Sequence, residues 1–534
     1  MKKFFIWMTG FLFLMMALFV ILVAVNTRER HKDYFVEVTL PPPNSKTKPV
    51  QLFKAGLAKE KINPPLPDTW TDVDSNARYE PSQGDTYQDG NGNGRFDPIW
   101  MAGFGNKRAA NGIHDDLWAR AIVLDDGVSA IGLVVLDAIG FFYDDVIAVR
   151  KLVAQRHPEI QHVIIASTHS HQTPDLQGLW GKTPLQSGVN PSYRRMVHQI
   201  TAQVVSTAWQ NRIEASLAFA VIDSLEKDVI ADFRKPIVYD EGIRLLRIHK
   251  ANTQELMSVI VNLGNHPETA GDKNLLLSSD IFHYLREGIE SGIVYDGEVK
   301  RPGVGGMAVV FNGAVGGLMS GMSNSTHDRF IDKIFAAEDH SFDKVRAQGY
   351  RYADQILQKL DQNEWTTIER PLMRLKAKTF TFKLDNRLFK LASGLGVVDR
   401  GIKNLNAIRS EINLLTIGPL WLLTIPGEIN PELIHGGIEA PAGRDFLIEP
   451  VEIPPIRQMM DGEINWVVGL ANDEVGYIMP KSHWDQKPPF TYDETDAPYG
   501  EVNSLGPETG PKMHRQAKRI IEEMRLMHAG RDQN

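Results

Sequence analysis

Two histidines follow a short apolar run in the segment Ser167–His171, which reads Ser-Thr-His-Ser-His. The preceding residues Val163–Ile165 are typical of a buried strand. Residues two apart on an extended backbone point to the same side, so His169 and His171 are expected to project together from the end of this strand. Neutral imidazoles in that position can bind a metal ion or transfer protons. A hydrogen-bonded loop with an incidental second histidine explains this short pattern equally well.

Ligand-type residues also follow three other apolar runs. His266 comes shortly after Val261–Leu263, Glu428 comes directly after another predicted strand, and Tyr477 ends the segment Gly469–Tyr477. Loops at strand ends on a rigid sheet commonly build a site. Two histidines and a carboxylate, with one position open to water, form a frequent zinc set. Each stretch is also consistent with a strand-to-loop boundary that carries a polar cap. The long spacing between the four stretches does not show that their side chains converge on one site.

A second pattern of metal-ligand type comes earlier in the chain. Asp89, Asn91, Asn93 and Asp97 occupy ligand positions of a calcium-binding loop, and the glycines between them allow a sharp turn that suits a hard cation. The twelfth position holds Trp100 instead of a bidentate glutamate, so a complete EF-hand is excluded. The segment is a candidate calcium loop with a structural role. A turn without metal is the alternative.

The elements that must position these residues alternate between strands and helices. Hydrophobic periodicity predicts strands at Ala121–Leu124, Ala130–Leu136, His162–Ala166, Gly242–Ile248, Met257–Leu263, Ile412–Ile417 and Leu420–Ile425, the last two as a hairpin. It predicts helices at Asp144–His157, within Tyr193–Gln210 and near Lys512–His528. The order mixes βαβ units with hairpins. We therefore expect an α/β fold with mixed β-sheets flanked by helices, in a single large catalytic domain.

The N-terminal segment says most about location. Lys2 and Lys3 precede the apolar run Phe4–Val25, whose 22 residues are enough to span a bilayer. The run is longer than a usual signal-peptide core and lacks a clear cleavage site, which favours an uncleaved signal-anchor. We expect a transmembrane segment over residues 1–32, a proline-containing linker over 33–51 and the globular domain over 52–534. The domain is expected to be extracytoplasmic, membrane-anchored if the segment stays and secreted if it is cleaved.

Composition excludes several functional classes. The 534 residues have a formal net charge of −8, which offers no basic surface for nucleic acid. The sequence contains no cysteine, so disulfides, thiolate zinc sites and cysteine nucleophiles are excluded. The remaining candidate partners are a small-molecule or lipid substrate and, through the N-terminal segment, a membrane.

Five motifs, in order and at similar spacing, resemble those of the neutral, non-lysosomal ceramidase family. They cover roughly residues 51–505, and they are Gly112–Ala121 (G-I-H-x-x-L-x-A-R-A), Ser167–His171 (G-T-H-T-H), Asn265–Asp280 (H-P…S-S-D), Pro426–Glu428 (P-G-E) and Gly469–Tyr477 (G-L-x-N-x-x-x-x-Y).

The resemblance implies a site and a reaction. The zinc ligands of the family fall on His169, His266, Glu428 and Tyr477. His171 then contacts substrate or acts as the general acid toward the leaving amine, and Arg234 matches a family arginine near the substrate. Zinc-activated water is expected to attack an N-acyl amide, with Tyr477 helping to stabilise the oxyanion.

One motif departs from the family pattern. The family carries G-D-x-S-P-N, whose serine has been assigned a catalytic role, and the corresponding run here is Asn312–Ser320. Gly317 stands at the aspartate position and Met319 at the serine position, with Ser320 one place later.

From the resemblance as a whole we expect a zinc-dependent amidohydrolase whose substrate is an N-acyl amide such as a ceramide-like lipid. A zinc hydrolase of another N-acyl, ester or cell-envelope substrate, and a non-catalytic, metal-stabilised surface protein, are the alternatives.

Overall fold

The structure is a computed structural model that describes residues 2–42, 52–362, 364–369 and 371–529. The α-helices in these ranges are α1 (Lys2–Asn26), α2 (Tyr143–Arg156), α3 (Pro191–Gln210), α4 (Ile281–Glu290), α5 (Phe342–Leu360), α6 (Arg387–Gly394), α7 (Pro431–His435), α8 (Ile456–Met459), α9 (Tyr499–Val502) and α10 (Thr509–Ala529).

The β-strands of the described ranges, in chain order, are β1 (Glu37–Leu40), β2 (Lys54–Lys61), β3 (Thr69–Thr71), β4 (Thr86–Gln88), β5 (Trp118–Asp125), β6 (Ala130–Leu136), β7 (His162–Ser167), β8 (Ile213–Ile222), β9 (Ala231–Asp232), β10 (Ile243–Lys250), β11 (Leu256–Leu263), β12 (Gly292–Tyr295), β13 (Glu298–Pro302), β14 (Met307–Asn312), β15 (Met319–Ser320), β16 (Thr326–Asp328), β17 (Lys333–Phe335), β18 (Thr366–Thr367), β19 (Met373–Lys383), β20 (Ala407–Ile417), β21 (Leu420–Thr424), β22 (Glu428–Ile429), β23 (Ile464–Val468) and β24 (Tyr477–Ile478).

Two mixed sheets form the centre of the molecule. The larger sheet has the order β14-β11-β10-β8-β2-β5-β6-β7, with β18 paired to β8, and the smaller has the order β1-β19-β20-β21-β23. The pairs β6–β7, β11–β14 and β21–β23 are parallel. The other pairs of the two sheets are antiparallel, including the predicted β20–β21 hairpin. The predicted class, α/β with mixed sheets flanked by helices, is confirmed.

The two sheets pack face to face around one apolar core. Leu133 and Ile164 of the large sheet share this core with Leu415 and Trp466 of the small sheet. Helices cover the outer faces: α2 and α3 pack on one part of the large sheet, α4 and α5 on another, and α10 on the small sheet. Each fully buried large apolar side chain contributes about 1.5–3 kcal/mol, so the sheets are a rigid platform for the loops at their ends.

The predicted elements lie close to the observed ones where apolar periodicity is strong. Strand β6 has the predicted bounds, and helix α2 differs from its prediction by one residue at each end. Strand β20 begins five residues earlier than predicted, at Ala407. Ser410 and Glu411 interrupt the apolar pattern there, yet both are fully buried. Polar partners inside the core, which periodicity does not reveal, explain the difference.

An ion pair in the core explains the burial of Glu411. Arg150 of α2 donates to both carboxylate oxygens of Glu411, at 2.6 and 2.8 Å, and Tyr143 donates to the same carboxylate at 3.0 Å. Burial raises the pKa of Glu411, but the Arg150 charge outweighs it and holds that pKa well below its usual range. Asn472 donates its side-chain amide to Glu411 at 3.2 Å and is bonded through its backbone to Ile165 in β7. Because Arg150 also donates from Nε to the carbonyl of Val163 in β7 at 2.8 Å, the pair links β20 of the small sheet to β7 of the large sheet.

The predicted linker over residues 33–51 needs a correction. Glu37–Leu40 forms β1, an edge strand that pairs with β19, and Val38 lies opposite Ala377. Val36 and Leu40 are buried in the core between the sheets. The short alternation of Val36, Val38 and Leu40 is a weak strand signal beside the prolines that follow. Residues 43–51 of the predicted linker lie outside the described residues.

Helix α1 suits the predicted membrane segment by length and composition. Within the part of the chain that the structure describes, Lys3–Asn26 is the one helix that meets both criteria, with a mean hydropathy of 2.7 and none of its apolar window buried. A membrane anchor and a signal sequence both satisfy these criteria.

Candidate metal centre

Three buried histidines converge at the ends of the sheets. The ring centres of His169 and His266 lie 4.8 Å apart, and that of His171 lies 5.1 and 5.6 Å from them. One ring nitrogen from each histidine lies within 4.8 Å of the others. Among the described residues this cluster is one of two groups of titratable side chains placed to hold a metal ion.

His169 is positioned by the backbone that follows β7. The strand ends at Ser167, and His169 has a left-handed φ of 70°. His169 and His171 therefore meet through a turn, whereas the sequence predicted that they project to the same side of an extended backbone. The Nδ1–H of His169 can donate to the carbonyl of Ile139, 2.6 Å away. That tautomer leaves the Nε2 lone pair for a metal.

His266, which follows β11 beside the edge strand β14, is oriented in the same way. Its backbone N–H and its Nδ1 both lie 2.9 Å from the carbonyl oxygen of Met319. Because one carbonyl accepts from both groups, the ring has a fixed direction and Nε2 faces the cluster. The second histidine thus has the tautomer that ligation needs.

Glu428 completes the group. Its Oε2 lies 3.1 Å from Nε2 of His266 and 3.3 Å from Nε2 of His169. Burial raises the pKa of Glu428, but the two imidazoles, His169 first, outweigh it and hold that pKa well below its usual range. The donor set of two oriented imidazole nitrogens and one buried, ionised carboxylate fits a zinc ion.

Tyr477 lies beside Glu428 because short strands β22 and β24 pair in parallel, with these two residues opposite each other. Burial raises the pKa of Tyr477 well above its usual range, and the Glu428 carboxylate adds to the effect. The structure therefore places His169, His266, Glu428 and Tyr477 together, although they are separated by up to 308 positions in the sequence.

Asn312 joins the two histidine loops, and sequence reasoning missed it. Its Nδ2 donates to the carbonyls of Thr168 and Asn265, at 2.9 Å each, and these residues directly precede His169 and His266. Its Oδ1 accepts the backbone N–H of Asn265 at 3.1 Å. Since β14 and β7 are opposite edges of the large sheet, this bridge shows that the sheet curls until its edges meet. The run of Asn312 was noted only for its departure from the family serine motif.

His171 has a different environment from the other two histidines. Its Nδ1 lies 3.1 Å from Oε2 of Glu268, a carboxylate that sequence reasoning also missed. Burial lowers the pKa of His171 well below its usual range, and the neighbouring His169 and His266 lower it further. The neutral form of the His171 imidazole is therefore favoured at pH 7. The position of Glu268, two residues after His266, is the only sequence signal that pointed to it.

Two cavities meet at the cluster. An apolar cavity is lined by His169, His171, Glu428 and Tyr477 and by apolar side chains that include Phe142 and Leu505. A larger and more polar cavity shares His171 and Tyr477 with it. Its lining includes Arg108, Glu268, Asp272, Ser323 and His340. A molecule with one apolar and one polar part can thus span the candidate metal centre.

Glu474 places a carboxyl group in the wall of the apolar cavity. Burial raises the pKa of Glu474 well above its usual range, and the Glu428 carboxylate adds to the effect. The neutral form of this carboxyl group is therefore favoured in the cavity wall. Glu474 lies inside the Gly469–Tyr477 motif, but at a position that the motif leaves open.

Arg234 does not lie among the residues of the candidate metal centre. Its guanidinium donates to Glu501 at 2.6 Å and lies 3.8 Å from the sulfur of Met479, and it is not among the residues that line either cavity. Its neighbour Phe233 lines the polar cavity instead. A direct role of Arg234 toward substrate stays a prediction.

The residues at the family serine position have structural contacts. The side chain of Met319 packs in the core under α4 and α5. The hydroxyl of Ser320 accepts the N–H of Met322 at 3.1 Å. Of the nearby serines, Ser323 lines the polar cavity.

The candidate calcium loop is exposed. The carboxylate of Asp89 accepts backbone N–H groups of Gly92 and Asn93, at 2.7 and 3.1 Å, and the amide of Asn91 donates to Asp97 at 3.0 Å. These contacts form a closed turn with or without an ion, so calcium at this loop stays a prediction. Besides the three histidines, a second group of described residues is placed to hold a metal ion, and it consists of Asp72, Asp74 and Asp85.

Comparison with solved structures identifies the architecture. A crystal structure of neutral ceramidase from Pseudomonas aeruginosa matches with a TM-score of 0.62 and 16% identity, over 88% of this chain and 75% of that chain. The chain has a neutral ceramidase-like fold. A structure described as a ceramidase complexed with C2 matches with a TM-score of 0.61 and 15% identity, over 89% of this chain and 76% of the other. No family model and no curated protein matches the sequence.

The neutral ceramidase-like fold confirms the architecture that the motif resemblance implied. Within it, the first and third motifs meet directly. Asp115 accepts hydrogen bonds from the backbone N–H and the hydroxyl of Ser279, at 2.9 and 3.0 Å, and from the hydroxyl of Ser278. Asp280 accepts the N–H of Ala270 at 2.9 Å, which fixes the loop after His266. These motif residues therefore hold in place the loop that follows His266.

Proposed function

We propose that this protein is a zinc-dependent amidohydrolase that cleaves the N-acyl amide of a ceramide-like lipid. The observation that most supports this is the meeting of two oriented histidines and an ionised carboxylate between an apolar and a polar cavity. The fold is shared with proteins whose descriptions name them as ceramidases.

His169, His266, Glu428 and Tyr477 would hold the ion. When bound, zinc supplies Lewis-acid activation of water and of a carbonyl oxygen at neutral pH. Tyr477 keeps its proton because of its raised pKa, and it is placed to donate a hydrogen bond as negative charge develops on that oxygen. His171, whose Nδ1 faces the Glu268 carboxylate, is placed to take the proton of the attacking water and deliver it to the leaving amine.

The cavities assign the two parts of the substrate. The acyl chain belongs in the apolar cavity, whose lining is mostly apolar and where burial favours the neutral form of Glu474. The polar amine part belongs in the polar cavity, whose carboxylates and arginine can hydrogen-bond it. The size of that cavity is the observation that favours the second candidate, a hydrolase of another N-acyl or cell-envelope substrate with a larger polar group.

The test is a substrate panel on purified full-length protein in detergent, with zinc loaded and with zinc chelated. Ceramides, N-acyl amino acids and esters should separate the candidates, and zinc-dependent release of fatty acid from ceramide is the expected result. Hydrolysis confined to substrates with larger polar groups would favour the second candidate. A folded, zinc-loaded protein that hydrolyses none of them would support a non-catalytic, metal-stabilised protein.

We expect Ser320→Ala to keep most of the activity. The Ser320 hydroxyl accepts a hydrogen bond from the backbone N–H of Met322. Met319 stands at the family serine position, and its side chain is in the core. The change should lower kcat/KM by less than about 10-fold, which corresponds to less than about 1.4 kcal/mol of transition-state stabilisation. Steady-state kinetics with measured zinc content checks this, and Ser323→Ala serves as the comparison. A loss of about 10³-fold with zinc retained would make Ser320 a catalytic group.

We also propose that α1 is a retained anchor and that the domain is extracytoplasmic. The segment directly after α1 is part of the fold, since Ile402 donates its N–H to Thr27 at 3.1 Å and Arg30 pairs with Asp399. Protein extracted from membranes should therefore keep its N-terminus and resist carbonate washing. N-terminal sequencing checks this, and a mature start beyond Val25 would identify a cleaved signal sequence instead.

A further inference from the structure

Helix α6 lies directly beside the end of the anchor helix. Asn26 donates its side-chain amide to the carbonyl of Gly394 at 2.9 Å. A Cβ at Gly394 would lie 3.4 Å from a methyl group of Val23, so the two helices approach closely. The residues after α6 also contact the residues that follow α1. Ile402 donates its N–H to the carbonyl of Thr27, and Asp399 forms an ion pair with Arg30. The position of α6 relative to the anchor is therefore fixed at several points.

Helix α6 also forms a wall of the apolar cavity. Phe389 and Ser393 on one face line that cavity, together with Leu505. Asn386 caps the helix by accepting the N–H groups of Leu388 and Phe389, at 3.0 and 3.1 Å. Its amide donates to the carbonyls of residues 502 and 504, at 2.8 and 2.9 Å, which ties α6 to the opposite wall.

The other face of α6 is apolar and exposed. Leu388 and Leu391, one helical turn apart, are 63% and 50% exposed. Arg387 and Lys390 flank them, and such side chains can extend their charges toward lipid head groups while their stems cover apolar surface. Exposed leucines flanked by cations are typical of helices that lie in the membrane interface.

We infer that α6 lies in the interface of the bilayer that α1 crosses, with Leu388 and Leu391 inserted among the lipids. The apolar cavity behind α6 then opens toward the acyl region of the membrane. A second copy of this chain is a poorer occupant, because two leucines offer far less than the roughly 800 Å² per partner of a stable interface. Entry of the acyl chain from the bilayer rests on the proposed hydrolase activity, whereas the docking of α6 rests only on the proposed retention of α1 as an anchor.

Fluorescence quenching tests the docking directly. The chain has no cysteine, so Leu391→Cys in the full-length protein can carry a single environment-sensitive label. Val299→Cys is the matched control, because Val299 is also exposed and lies in the β12–β13 hairpin, which packs on α4 and α5. In liposomes that contain lipids with a doxyl quencher near the head group, the label at 391 should be quenched and the label at 299 should not.

Two other results would overturn the docking. Equal, weak quenching at both positions with water-like emission would show that α6 faces solvent. Blue-shifted emission at 391 without quenching by the lipid would show that a protein surface, such as a second copy, covers α6.

Activity measurements test the link to substrate. Leu388→Asp together with Leu391→Asp should lower hydrolysis of a bilayer-embedded N-acyl lipid by about 10-fold or more and leave hydrolysis of a short-chain, water-soluble analogue unchanged. Val299→Asp should change neither. Equal loss on both substrates would contradict entry from the bilayer. A wild-type protein inactive on both would refute the proposed function, while the quenching result would still decide the docking.

Discussion

Replacing His266 with alanine should remove most of the zinc and lower turnover by about 10³-fold or more, or roughly 4 kcal/mol of transition-state stabilisation. His266 Nε2 lies 3.1 Å from Glu428 and its Nδ1 is held by Met319, so the change removes an oriented nitrogen from the proposed ligand set. The wild-type protein should contain about one zinc per chain. Elemental analysis of the purified proteins, with kinetics on the same samples, checks both expectations.

His249→Ala is the matched control, since His249 lies on β10, next to the strand that leads to His266, and lines neither cavity. It should keep its zinc. Thermal unfolding separates loss of metal from loss of fold, because added zinc should stabilise the wild-type protein and not the His266 variant. Equal zinc in wild type and His266→Ala would remove His266 from the ligand set. His169→Ala should behave like His266→Ala.

Arg150→Met should lower the free energy of unfolding by about 3–5 kcal/mol. The change removes the arginine cation from the buried Glu411 carboxylate, and Tyr143 and His162 remain beside it. Urea unfolding in detergent measures the effect. Arg156→Met, on the exposed face at the end of the same helix, is the control and should change stability by less than about 0.5 kcal/mol.

The contribution of the Arg150–Glu411 pair to the free energy of unfolding should depend on pH. The folded pKa of Glu411 lies below the unfolded value, so the stabilisation by the pair is complete above about pH 4.3 and is lost as the pH falls toward the folded pKa. The deficit of Arg150→Met should therefore shrink in acid. Adding Glu411→Gln to Arg150→Met should recover part of the stability, because no charge is then left buried. A deficit that is independent of pH and of Glu411 would assign the loss to packing of Arg150 instead.

The sequence predicted the fold class and most central elements because the apolar periodicity of strands such as β6 and helices such as α2 reports directly which face is buried. It failed where polar residues enter the core. Glu411 in β20 breaks the apolar pattern but is buried against Arg150, a partner 261 positions away. Edge strand β1 was missed because its three alternating apolar residues are a weak signal beside a run of prolines.

By itself the sequence determined which chemical groups are available: two close histidines, a third histidine, a glutamate and a tyrosine, each after an apolar run, and no cysteine. Only the tertiary structure decided that they meet. The curling of the large sheet brings the ends of β7 and β14 together, and Asn312 bonds the loops before His169 and His266. Pairing of β22 with β24 then sets Glu428 beside Tyr477. Such contacts depend on how whole sheets pack, a property of the entire chain that local periodicity does not contain.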